Sequence, residues 1–166
     1  MIEIFTDGSA VGGNPGIGGY GVAVFEDDKC IYAFCSKRYK QATNNQMELR
    51  ALIHAICLCQ GEYKSKDCVI YSDSAYCVNA ANDWIYNWSK NGWRNSKNQT
   101  VENLEMMQYI YELLTKNFIN NFEIKKVKGH ADCLGNNCAD ALATNNINKF
   151  NSFFTSYDTI NLFIDF

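Results

Sequence analysis

The first dozen residues constrain this chain more than any other stretch. Ile2–Thr6 reads as a short apolar strand, and it runs straight into Asp7-Gly8-Ser9. A carboxylate at the carboxyl end of a buried strand is costly unless something compensates its charge. A metal ion, a cationic partner or a catalytic duty each supplies that compensation; a turn aspartate opening a loop is the plainer alternative. A glycine-rich stretch follows, Gly12-Gly13-Asn14-Pro15-Gly16-Ile17-Gly18-Gly19. It lacks the Gly-Lys-Ser/Thr of a nucleotide-triphosphate loop.

The remaining length is enough to bury that strand in one domain of 166 residues. A hydrophobic share of 47% argues for a globular fold over disorder. No run approaches the roughly 20 apolar residues that span a bilayer. Met1-Ile2-Glu3-Ile4 has neither the basic nor the apolar region of a signal peptide. The expectation is an intracellular, cytoplasmic protein (nuclear or organellar in a eukaryote) with no membrane partner. The eight cysteines form no Cys-x-x-Cys pair and read as free thiols, several of them buried. His130, Cys133 and Cys138 offer three ligands, one short of the usual structural zinc set. The net charge of −3 argues mildly against nucleic-acid binding, but the distribution says more than the total. Lys125, Lys126 and Lys128 cluster before Gly129-His130, and Lys90, Arg94 and Lys97 interleave with Trp84, Trp88 and Trp93.

Gly21–Glu26 and Cys30–Arg38 read as strands joined by the turn Asp27-Asp28-Lys29, a hairpin beside Ile2–Thr6. Thr43 with Gln46 three residues on fits a capping box, and a helix continues through Met47–Gln60 to Gly61. Glu48 is expected in its first turn, favoured by the helix dipole. Cys68–Ser72 is a second apolar strand that ends at an acid, Asp73. Ser74–Asn82 reads as a short helix. Val101, Leu104, Met107, Tyr111, Leu114 and Phe118 give Val101–Phe118 the spacing of an amphipathic helix. Phe122–Val127 is a further strand, and a last helix over about Asn136–Asn145 carries Asp140.

The order βββ-α-β-α-α-β-α predicts an α/β fold with a mixed sheet flanked by helices. Ligands of such sheets gather at the carboxyl ends of parallel strands. If the first and fourth strands are parallel neighbours, Asp7 and Asp73 emerge at one edge, and Glu48 and Asp140 can join them. Clustered carboxylates raise one another's pKa unless cations neutralise them. Hard oxygen ligands select Mg²⁺ or Mn²⁺, and a pair of such ions serves in-line phosphoryl displacement.

These residues resemble a known family. Thr6-Asp7-Gly8-Ser9, with Asn14-Pro15-Gly16 and Gly18-Gly19-Tyr20-Gly21, is similar to the opening of type 1 ribonuclease H. Thr43-Asn44-Asn45-Gln46-Met47-Glu48-Leu49 resembles its first helix, and Ser72-Asp73-Ser74 its fourth strand end. Trp84, Trp88 and Gly92-Trp93 resemble its basic protrusion; Val127-Lys128-Gly129-His130 and Cys138-Ala139-Asp140 resemble its last quarter. The likeness runs in order from about Met1 to Thr144. It implies a ribonuclease H-like fold with a five-stranded mixed sheet in the order 3-2-1-4-5. It also implies endonucleolytic cleavage of the RNA strand of an RNA–DNA hybrid with two Mg²⁺ ions, Mn²⁺ being the alternative, leaving 5′-phosphate and 3′-hydroxyl ends. Asp7, Glu48, Asp73 and Asp140 match the four catalytic metal-binding acids, and His130 matches a loop histidine that helps activate water or release product.

The same resemblance places Gly8, Ser9, Asn14, Thr43, Asn44, Asn45 and Gln46 against the hybrid. Side-chain amides there can meet 2′-hydroxyls and base edges, and Thr43 with the helix-start amides can hold a DNA phosphate. Trp84, Trp88 and Trp93 are partly core, while Lys90, Arg94 and Lys97 are the candidates for phosphate contacts. The loop Ala131-Asp132-Cys133-Leu134-Gly135 departs from the family pattern, and the protrusion is less basic than in many members. The catalytic domain is expected over residues 1–146 of a monomer, with residues 147–166 as an aromatic extension. That tail, rich in Phe, Tyr, Ile and Leu, should pack on the domain or on a protein partner.

Overall fold

Strand β1 (Ile2–Val11) lies at the centre of a seven-stranded sheet, and every other layer is placed relative to it. The computed structural model describes residues 1–116, 121–127 and 132–165. On one side β1 pairs antiparallel with β2 (Gly16–Glu26), which pairs antiparallel with β3 (Lys29–Cys35). On the other side β1 pairs in parallel with β5 (Cys68–Ser72), which pairs in parallel with β6 (Phe122–Lys126). The expected core order of five strands is therefore present as β3-β2-β1-β5-β6.

Two strands go beyond the expected five. β4 (Tyr39–Ala42) pairs with β2 through Gly16↔Ala42 and Gly18↔Tyr39, and β7 (Asn161–Ile164) pairs in parallel with the outer edge of β3. Four residues are too few to show a period of two, and the partner of each strand is remote in sequence. The glycine-rich stretch is also more regular than a loop. Gly16–Gly19 already belong to β2, and the turn of the hairpin is confined to residues 12–15.

The pleat sorts the core into two layers. Ile2 and Ile4 of β1, Val22 and Val24 of β2 and Ile70 of β5 face a layer built with helix α1 (Asn44–Gln60) and helix α4 (Leu104–Thr115). Phe5, Ala23 and Phe25 alternate to the opposite face, under helix α5 (Leu134–Ala143) and helix α6 (Ile147–Ser152). Each large aliphatic chain buried this way contributes about 1.5–3 kcal/mol. Strand parity thus fixes which helix lies on which side.

Helix α1 begins as the capping box requires. The Gln46 amide donates to Thr43 Oγ1 at 3.1 Å, and the Thr43 amide donates to Gln46 Oε1 at 3.1 Å. After β5 the helical run is longer than the expected Ser74–Asn82. α2 (Ala75–Asn79) passes through a π-helical turn at Ala80–Trp84 into α3 (Ile85–Lys90). Asn82 Nδ2 donates to the Ile124 carbonyl at 2.8 Å, which ties that turn to β6. α4 starts three residues later than its apolar spacing suggests, because Asn103 adopts a left-handed conformation at its start. Phe118 lies outside the described residues. No helix among the described residues is long and apolar enough to cross a membrane.

His54, on α1, is packed between Tyr20, Tyr32 and Phe34, its ring 4.4 Å from that of Phe34. The Tyr32 hydroxyl lies 3.1 Å from Nε2 and the Tyr20 hydroxyl 3.4 Å from Nδ1. Burial depresses its pKa to about 4, so the ring is neutral at physiological pH. In an NMR titration, the His54 ring protons should show no protonation step between pH 7 and 5; a midpoint near 6.5 would contradict this packing. The unfolded chain takes up that proton first, so this residue contributes stability above pH 6.5 that is lost as pH falls towards 4.

The segment from Ile147 onward folds back on the domain. Phe150 is 1% exposed and packs at a tilt against Phe154, their ring centroids 5.1 Å apart. Ile160, Leu162 and Ile164 pack on the same layer, and the Asp165 amide donates to the Cys35 carbonyl at 2.9 Å. Tyr157 and Phe163 remain exposed. Truncation after Asn146 should lower Tm by more than about 5 °C, since burial of Phe150 alone contributes about 2 kcal/mol. Thermal unfolding followed by circular dichroism checks this.

Candidate active site

The parallel pairing of β1 and β5 ends at Thr6↔Ser72, and the next residue on each strand is an acid. Asp73 therefore stands in the turn between β5 and α2, where Ser74 caps the helix by accepting from the Cys77 amide at 3.2 Å. Asp7 is not past the end of its strand, as its position before Gly8 suggested. β1 continues to Val11 in antiparallel pairing with β2 alone, and Asp7 stands opposite Gly21. It is 8% exposed, and the Gly8 amide donates to its Oδ1 at 2.9 Å.

Two glycines make room for this acid. A Cβ on Gly8 would overlap the backbone of Met47 and Glu48 in α1, and a Cβ on Gly21 would meet the backbone of Ala139 in α5. Directly opposed residues share a face of the sheet, so Asp7 shares the α5 face with Gly21 while its neighbour Gly8 touches α1. Glu48 lies one turn further into α1 than expected, because the helix begins at Asn44. The dipole has little hold there; contact with β1 fixes this residue instead.

Carboxylate oxygens of Asp7, Glu48 and Asp73 lie within 4.8 Å of one another. All three acids are pushed above the usual carboxylate range. For Asp7 the chief cause is burial, followed by the charges of Asp73 and Asp140, against which a hydrogen bond with Glu48 works. Glu48 is raised by burial and then by Asp7, and Asp73 by burial and then, more weakly, by Asp140. Glu48 Oε2 is buried with no hydrogen-bond partner. An orphaned oxygen among mutually repelling hard-oxygen donors fits a divalent metal ion, which would satisfy the oxygen and lower all three pKa values.

Asp140 stands beside this trio on α5. Its charge acts on Asp7 and Asp73, but its Oδ2 lies 3.7 Å from Lys149 Nζ. The structure thus gathers three of the four expected acids and holds the fourth in an ion pair. His130 and Lys128 lie outside the described residues. Cys138 is buried, with its thiol pushed up to about 12, and the only metal-type cluster among the described residues is the carboxylate trio.

The expected substrate residues fall into two groups. Asn14 and the start of α1 are tied together: the Asn44 amide donates to Asn14 Oδ1 at 3.0 Å, and the Ala10 amide donates to Asn44 Oδ1 at 2.8 Å. Ser9, on β1, and the exposed Asn45 lie alongside them. Trp84, Trp88 and Trp93 are half-buried against the α1–α4 layer, with Trp84 and Trp88 5.7 Å apart and Trp93 edge-on to Tyr111. Lys90, Arg94 and Lys97 are exposed at the far end of α3 and in the turn beyond it.

A cluster of hard-oxygen donors where two adjacent parallel strands end their pairing is the kind of set that metal-dependent phosphoryl-transfer enzymes use. The chain matches the RNase H family over residues 1–148. Ribonuclease HI of Haemophilus influenzae is 41% identical over 147 residues, covering 86% of this chain and 87% of that one. Ribonuclease H of Acetivibrio thermocellus is 40% identical over 151 residues, covering 89% and 95%. Among solved structures, LC9-RNase H1, a type 1 RNase H with the type 2 active-site motif, superposes with a TM-score of 0.68 at 25% identity, covering 87% of this chain and 70% of that one. The foamy viral protease-reverse transcriptase in complex with RNA/DNA hybrid shares the fold, with a TM-score of 0.68 at 20% identity over 87% of this chain and 19% of that one. The chain belongs to the ribonuclease H family. Its activity is that of a nuclease that cleaves the RNA strand of RNA–DNA hybrids.

The raised pKa values carry a stability consequence. A carboxylate whose folded pKa lies above its unfolded value binds protons more readily when folded, so it destabilises the metal-free fold as pH rises past the unfolded value. Asp7→Asn keeps the Gly8 contact and removes the charge. The metal-free variant should be about 1–3 kcal/mol more stable at pH 8, roughly 2–10 °C in Tm. It should also gain less than wild type when Mg²⁺ is added. Differential scanning calorimetry with and without the ion measures both.

Proposed function

We propose that hydrolysis proceeds by a two-metal-ion mechanism in which Asp7, Glu48, Asp73 and Asp140 hold the ions and His130 assists proton transfer or product release. The observation that carries this reading is the buried, unpartnered Glu48 Oε2 within a trio of carboxylates at the end of the parallel strands. Mg²⁺ is the ion such an oxygen-only, solvent-open set favours, with Mn²⁺ as the alternative. Two bound ions supply the positive charge that makes water nucleophilic and offsets charge developing on the phosphate and the leaving 3′-oxygen.

The chain's own residues do the rest. Asp7 lies between the other acids, its carboxylate oxygens within 4.8 Å of those of Glu48 and Asp73, and would hold metal together with them. Glu48 and Asp73 approach it from a helix and a neighbouring strand, so the cluster is set by backbone packing before metal arrives. The carbonyl oxygens of Asn14 and Asn44 are used internally. Their amide NH₂ groups, with Asn45 and Gln46, are the donors offered to the minor groove, where a 2′-hydroxyl distinguishes RNA from DNA. Thr43 and the first amides of α1 hold a phosphate of the DNA strand. Lys90, Arg94 and Lys97 neutralise phosphates further along, steadied by the half-buried tryptophans. Residues 1–146 carry this whole set, and residues 147–166 are an extension packed on it.

A labelled RNA–DNA hybrid with Mg²⁺, run beside single- and double-stranded RNA and DNA, tests the assignment. Wild type should cut the hybrid's RNA strand alone, with 5′-phosphate and 3′-hydroxyl ends. Asp73→Asn should lower kcat by at least about 100-fold, the scale of losing charge stabilisation in a transition state. Retained cleavage in that variant would remove Asp73 from the metal set.

A further inference from the structure

We propose that Lys149 is a positioning residue of the active site: it competes with metal for Asp140 and sets how much divalent ion the enzyme requires. This rests on the assignment of Asp140 to the metal set. Lys149 lies one residue beyond the family match, on α6, yet its Nζ is 3.7 Å from Asp140 Oδ2.

The lysine is delivered by a built device. The Lys149 amide donates to Asn146 Oδ1 at 3.1 Å, which caps α6, and the Ser152 hydroxyl donates to the Lys149 carbonyl at 2.6 Å. The next residue, Phe150, is almost completely buried under α5. The backbone of Lys149 is therefore fixed against the helix that carries Asp140, and only the side chain is free to move. Lysine suits this role because its ammonium is a compact charge on a flexible stem.

The pair is half exposed, with side-chain accessibilities of 51% and 50%. Such a bridge is weak and breaks readily. Asp140 can thus be held beside the trio, away from solvent-wide rotamer freedom, and released when a cation of higher charge arrives. The same cation repels that metal as long as it remains close, so removing it should tighten metal binding.

The test uses the full chain and Mn²⁺, with binding read from the loss of the free-ion EPR signal. Lys149→Met should lower the apparent Kd about 3- to 10-fold, the scale of one unit charge a few ångströms from a divalent ion in a solvated site. Lys149→Arg, which keeps the charge, should stay within about twofold of wild type. In an Asp140→Asn background, Lys149→Met should shift Kd less, because the competition it removes is already absent. Unchanged or weaker binding in Lys149→Met, or a full shift that persists in the Asp140→Asn background, would overturn the proposal. Both outcomes are distinct from failure of the metal assignment itself, in which wild type neither binds Mn²⁺ nor cleaves the hybrid; that result would overturn both.

Discussion

The active site depends on a backbone-to-backbone approach at Gly8. There β1 runs so close to the first turns of α1 that no side chain fits between them. Glu48 is brought to Asp7 by that approach; their charges repel, and a hydrogen bond between the two carboxyl groups offsets part of that repulsion. The capping box at Thr43 and Gln46 sets where the helix starts, and Asn44 anchors that start to Ala10 beyond the acid. A glycine, a cap and an asparagine thus fix the distance between two carboxylates. Gly21 repeats the arrangement on the other side, letting α5 settle against β2 opposite Asp7.

Holding like charges together costs stability, and the fold carries that cost with its two apolar layers. Burial is the largest influence on Asp7, Glu48 and Asp73 alike, ahead of their mutual repulsion. The sheet is therefore working against the acids even before they meet. A site of this kind binds a cation partly because the protein without one is strained electrostatically. Much of the β1–β5 register serves to aim that strain at one point, since Asp7 and Asp73 each follow the last parallel pair.

Much of this was legible in the sequence. Asp7 and Asp73 each follow an apolar run, which is a local signal even though β1 continues past Asp7 to Val11, and the capping box announced α1 three residues before its apolar face began. Asp140 gave no such signal. It lies among alanines in the middle of a helix, and only likeness to a family singled it out. The dipole argument for Glu48 failed because the helix began earlier than the apolar pattern, so the acid sits a turn deeper. β4 and β7 escaped because a four-residue strand is defined by its partner, and those partners are distant in sequence. His54 looked like any helical residue; the tyrosines that surround it come from β2 and β3.

The four acids are not equally fixed. Asp7, Glu48 and Asp73 converge from β1, α1 and the end of β5 within one cluster of carboxylate oxygens. Asp140 sits on α5, whose last turn is held by Arg38: Nη1 donates to the Ala143 carbonyl at 2.6 Å while Nη2 donates to the Ser36 carbonyl at 3.0 Å. A cation at a helix C-terminus is favourable, and this one also ties α5 to the end of β3, the strand that β7 joins. The extension therefore touches the helix of the fourth acid twice, through the packing of α6 and through the β3 edge. Three acids thus already share one point in the fold, while Asp140, beside them on α5, is engaged by a cation from the next helix. The tail reaches that acid directly, because α6 packs on α5 and brings the Lys149 ammonium to 3.7 Å from Asp140 Oδ2.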